Sequence, residues 1–101
     1  MKYSVSEFED EINTCIEICL AEIENREKGI EGESTIEQIR AILLPELYEL
    51  REKIRTCNLP PQKDRYLLSF AYAFRVWGWN MNHPTSLYIK LANLNDHYKM
   101  I

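Results

Sequence analysis

Glycine is scarce in this chain: Gly29, Gly32 and Gly78 are the only three among 101 residues. No two of them are arranged to cradle a phosphate, which removes the glycine-loop nucleotide binders. Cysteine is scarce and odd in number. Cys15, Cys19 and Cys57 cannot all pair within one chain, so reduced thiols are expected in place of a disulfide scaffold. No apolar run approaches the roughly 20 residues of a membrane span. The start, MKYSVSEFEDE, has one lysine and then acids where a secretory signal would have an apolar segment. These absences predict a soluble, cytoplasmic protein that does not engage a membrane. Strand-like alternation, fixed-period repeats and low-complexity tracts are missing too.

Catalytic patterns are equally thin. His83 and His97 stand apart from any nucleophile motif, Ser69 lies in no glycine elbow, and no Glu-x-x-His pair occurs. His83 reads as a turn residue capping a helix and His97 as an exposed residue near a helix end. Cys15 and Cys19 fall where a small hydrophobe would serve, and their spacing is too generic for zinc. The expectation is no metal, no cofactor and no enzymatic activity.

Charge, by contrast, is abundant and uneven. The net charge is −4, but residues 1–33 hold ten acids against three bases, a net of −7, while residues 34–101 carry +3. An acidic lobe repels phosphates and speeds encounter with a basic partner. Direct nucleic-acid binding is therefore not expected, and the basic residues between Arg40 and Arg75 read as partners for helix acids, with Glu49 and Lys53 a well-oriented pair.

The apolar residues recur with helical period. Ser4 and Glu7, or Ser6 and Glu9, have capping-box spacing, so a helix is predicted from residues 4–6 to about Lys28. Val5, Phe8, Ile12, Cys15, Ile16, Cys19 and Ile23 share one face, with Asp10, Glu17 and Glu24 opposite. A second helix, capped by Ser34 and Glu37, carries Ile36, Ile39, Leu43, Leu47, Leu50, Ile54 and Cys57. Pro45 lies about 180° from that seam. It predicts one helix kinked near residues 41–45, because proline lacks an amide donor and crowds the preceding turn. Pro60 and Pro61 break the chain. A third helix is predicted from residues 61–64 to about Trp77 and a fourth from about Pro84 to Tyr98, with Leu87, Leu91, Leu94 and Tyr98 as its seam. The sum is a single all-α domain over residues 1–101, a four-helix up-and-down antiparallel bundle with a proline-kinked second helix.

RYLLSFAYAFRVWGW, residues 65–79, is apolar around most of its circumference. Leu67, Phe70, Ala71, Phe74 and Trp77 are predicted core. Leu68, Tyr72, Val76 and Trp79 form a second side that either meets a neighbouring helix or stays open. In an open patch Tyr72, Trp79 and Tyr88, with Arg65 and Arg75, would be the binding anchors.

In size, acidity and helical character the chain resembles small bacterial immunity proteins, which neutralise nuclease toxins in contact-dependent or colicin-like competition. That resemblance implies a non-enzymatic inhibitor whose acidic first helix covers a basic protein toxin. The expected partner-binding residues are Glu7, Asp10, Glu11, Glu17 and Glu24, with Tyr72 and Trp79 as aromatic anchors. The alternative is a small-molecule-binding subunit or a homodimer built on the aromatic third helix.

Overall fold

The computed structural model describes residues 4–80 and 82–101. Those residues are all-helical, with four helices and no strand. Helix α1 is Val5–Glu27. The Ser4 hydroxyl oxygen accepts the Glu7 amide at 3.1 Å, satisfying one of the orphan donors of the first turn. The helix closes at Lys28, after which Gly29 turns at φ +86°, a conformation natural to glycine.

Helix α2 is continuous over residues 36–55 but changes pitch. Ile36–Gln38 is α-helical, Ile39–Leu43 is a π-helical segment, and Leu44–Arg55 is α-helical again. The wider segment ends just ahead of Pro45, so the chain absorbs the missing amide by lengthening its ladder there. The cap also lies one residue later than Ser34 and Glu37. The Thr35 hydroxyl accepts the Gln38 amide while the Gln38 side chain accepts the Thr35 amide.

Helix α3, Leu68–Arg75, is much shorter than the sequence predicts. After Pro61 the chain makes only a 3-10 turn, Gln62–Asp64, and Arg65 and Leu67 are extended. The buried set shifts accordingly: Leu67, Ser69 and Ala73 are buried, Phe70, Ala71 and Trp77 are half-buried, and Phe74 is exposed. Helix α4 is Ser86–Tyr98, capped by Thr85, whose hydroxyl accepts the Tyr88 amide at 3.2 Å. The expected capping role of His83 therefore falls to Thr85. His83 instead donates its amide to the Asn80 side chain.

The α1 seam is buried from Phe8 to Ile23, leaving only Val5 exposed, and the α4 seam is buried throughout. In α2, Ile39, Leu43, Leu47, Leu50 and Ile54 join the same core; Ile36 is half-buried, and Cys57 lies outside at φ +57°. Each large aliphatic side chain buried this way contributes about 1.5–3 kcal/mol. Helix α1 packs against both α2 and α4. Arg55 meets Glu9 at 2.7 Å, Arg51 meets Asn13 at 2.9 Å, and Arg40 meets Glu27 at 3.1 Å, so the end of α2 lies beside the start of α1. Phe8 stacks on Tyr98 with centroids 5.6 Å apart, and His97 meets Glu11 at 2.8 Å. No described helix is long and apolar enough to cross a membrane.

Candidate functional site

Two surfaces of different chemistry emerge, and the first is the outer face of α1. Glu7, Asp10, Glu17 and Glu24 are exposed there, as the sevenfold spacing of the last three predicts. Glu24 forms an ion pair with Lys28 at 2.9 Å. Glu7, Asp10 and Glu17 have no ion pair among the described residues. Asp10 and Glu24 are about 21 Å apart along a straight helix at 1.5 Å per residue. Glu11 departs from this group. It is half-buried, and both its carboxylate oxygens lie within 2.9 Å of His97 Nδ1, so it is spent on joining α1 to α4. The expectation of an exposed His97 fails for the same reason.

The inner side of α1 is chemically quiet. Burial pushes the Cys15 thiol up to about 12, helped by the charge of Glu11. Burial does the same to Cys19, again to about 12. Neither is therefore ionised to a nucleophilic thiolate near neutral pH.

The second surface is a groove between α2 and the segment leading into α3. It encloses about 440 Å³. Its apolar lining comes from Ala41, Ile42, Pro45, Tyr66, Leu68 and Tyr72. Tyr66, Leu68 and Tyr72 are 55%, 52% and 39% exposed, so this is open apolar surface. Glu46 fixes one wall. Its carboxylate accepts the Leu68 amide at 2.7 Å, the Ser69 amide at 2.9 Å and the Ser69 hydroxyl at 2.5 Å. One residue earlier the Leu67 amide donates to Asn95 Oδ1 at 2.8 Å. Side chains of α2 and α4 thus cap α3, which has no side-chain cap from its own N-cap residue. Sequence reasoning missed Glu46. The usable signal was a carboxylate three residues after Leu43 and four before Leu50, on the edge of an apolar seam.

The expected aromatic anchors separate. Tyr72 borders the groove and stacks on Trp77 at 5.9 Å. Trp79 is only 3% exposed and Tyr88 4%, and the two rings meet edge to face at 5.8 Å. Gly78, at φ +66°, turns the chain after α3 so that the Trp79 amide returns to the Ala73 carbonyl at 3.0 Å. That turn carries the indole inward, so Trp79 is not available as the aromatic anchor expected of it. Arg65 is likewise occupied, donating to the carbonyls of Pro60 and Ile101, whereas Arg75 is exposed.

The loop between α1 and α2 is tied down by Arg26. Its guanidinium donates to the carbonyls of Ser34 and Ile30 and pairs with Glu22. It crosses Gly32 so closely that a Cβ there would fall 1.8 Å from Arg26 Nη2, so glycine at this position serves close approach. Neither this staple nor any other described cluster offers three potential metal ligands together. Comparison with protein-family models, with curated proteins and with solved structures finds no match to this chain.

Proposed function

We propose that this chain is a non-enzymatic protein-binding inhibitor of the bacterial immunity type, acting in the cytoplasm on a basic nuclease toxin. The observation that carries the proposal is the exposed acidic set Glu7, Asp10 and Glu17, without an ion pair among the described residues, on a 23-residue helix backed by six buried side chains. Carboxylates held on a rigid scaffold need little ordering when they meet lysines and arginines, which reduces the entropic cost of association. Solvated single-sign charge also raises the association rate, and does so most at low salt. Glu24 contributes after exchanging Lys28 for a partner's cation. Glu11, Tyr72 and Trp79 play no direct part, because their side chains serve the α1–α4 contact, the groove and the core.

The same reading includes the finer architecture. The Arg55–Glu9 to Arg40–Glu27 ladder and the Phe8–Tyr98 contact support an up-and-down antiparallel bundle, with the axis of α2 bending at its π-helical segment.

The test begins with a pull-down from the source cell, followed by titration of the recovered partner. One stoichiometric basic nuclease is expected, with inhibition lost in the triple variant Asp10→Lys, Glu17→Lys, Glu24→Lys. A partner that binds this variant as tightly as the wild type removes the α1 face from the mechanism.

A further inference from the structure

The groove beside α3 lies off the acidic face of α1, and none of its lining comes from α1. We propose that it receives an amphipathic helix from a partner protein, one bearing lysine or arginine beside its apolar face. The α2 wall runs from Ala41 to Lys53, which at 1.5 Å per residue is a trough about 18 Å long, enough for about three turns of a helix. Helical ligands dock in such troughs through side chains at steps of three and four, and Ile42, Pro45, Leu68 and Tyr72 supply the apolar floor. An extended strand has no sheet edge to pair with here. A small molecule would leave much of its surface in water, because the trough is open along one side.

Charge selects the occupant. Glu46, Glu49 and Asp64 line the trough against a single ammonium, Lys53, which is already engaged with Glu49 at 3.1 Å. Glu46 is held by three donors of α3, which leaves Asp64, without an ion pair among the described residues, to meet an incoming cation, and Glu49 to do so by exchanging Lys53 for it. A second copy docking through the same trough would bring these carboxylates against their own counterparts, which disfavours it.

The probe is a dye-labelled helical peptide of about fourteen residues, with leucines at steps of three and four and lysines alongside, compared with a twin carrying glutamate for lysine. Anisotropy titration is expected to show saturable binding of the basic peptide and about tenfold weaker binding of its acidic twin. The Glu49→Lys, Asp64→Lys double variant and Leu68→Asp are each expected to weaken the basic peptide by about tenfold. Both change exposed residues, so each variant should fold, as circular dichroism checks. Asp10→Lys, Glu17→Lys should leave this binding unchanged while removing the α1 function, so the two readings fail separately. Amide shifts are expected at residues 41–53 and 66–72. The groove proposal is overturned by shifts confined to residues 10–24, by equal binding of the two peptides, or by no saturable binding. Sedimentation showing self-association that Leu68→Asp abolishes would overturn it in favour of a second copy.

Discussion

Helices α1 and α3 reverse the ranking that their hydropathy suggests. Helix α1 is the more polar in sequence, yet six of its side chains are buried and its own flanking serine caps it. Helix α3 is apolar nearly all round, yet buries only Ser69 and Ala73 and turns Leu68, Tyr72 and Phe74 toward solvent. The difference is one of neighbours. Helix α1 is flanked by α2 and α4, whereas α3 has its principal helix contact with α4. Eight residues also fall below the roughly 12–15 that an isolated helix needs, so α3 depends on Glu46 and Asn95 for its first turn.

The largest effect that can break this comparison lies in the α1 core. Phe8 is fully buried and stacks on Tyr98, so Phe8→Ala is expected to destabilise the whole chain by about 3–5 kcal/mol in urea unfolding. Glu46→Gln should cost less, about 1.5–3 kcal/mol, by turning an amide donor toward the Leu68 N–H. Its signature is local: hydrogen exchange should quicken in residues 68–75 while the amides of α1 keep their protection. Equal loss of protection in both helices would mean that α3 is part of the same cooperative unit, and the contrast would fail.

That contrast also explains what was legible in the sequence. The boundaries and seam of α1 were readable because the Ser4 cap and the spacing from Phe8 to Ile23 are local signals. The outward placement of Asp10, Glu17 and Glu24 follows from the same period. Glu11 was misplaced because the imidazole that draws it inward, His97, is 86 residues away. Helix α3 was overextended because its start is set by Glu46, more than twenty residues upstream, and by Asn95, 28 residues downstream. Trp79 was placed among the partner-binding anchors, with its burial left open, because the consequence of the Gly78 turn depends on which side of α3 the core occupies. The shift of the cap from Ser34 to Thr35 has a similar cause, since Arg26 claims both the carbonyl and the hydroxyl of Ser34.

The buried side of α1 makes a milder prediction at alkaline pH. Cys15 and Cys19 stay protonated in the fold up to about 12, whereas an unfolded thiol ionises near its ordinary value of 9.0. Their stabilising contribution is complete below pH 9 and is lost as the pH rises from there toward 12, because the unfolded chain releases the protons first. Each thiol should lower stability by about 1.4 kcal/mol per pH unit in that window. Tyr98, whose hydroxyl is pushed up mainly by burial, adds to the loss above pH 10. Denaturant titrations of Cys15→Ala, Cys19→Ala at pH 8, 9 and 10 are expected to show a flatter profile than the wild type. An unchanged slope would mean that water reaches the inner face of α1.

The smallest expected effect gives the sharpest reading of α3. Leu68 leaves about half of its surface in water, at 52% exposed, although its backbone amide is anchored by Glu46. Leu68→Ser removes only the covered half of the side chain and leaves the backbone hydrogen bond intact, so stability should fall by no more than about 1 kcal/mol. Two positions along, Phe70 packs on Tyr88 at 5.7 Å and is half-buried, so truncation there should be more costly. Urea unfolding of Leu68→Ser and Phe70→Ala side by side therefore separates the open side of α3 from its packed side. A loss of about 2 kcal/mol or more for Leu68→Ser would place that side chain inside the fold in solution. The groove would then be closed, and the apolar surface of α3 would serve packing instead of recognition.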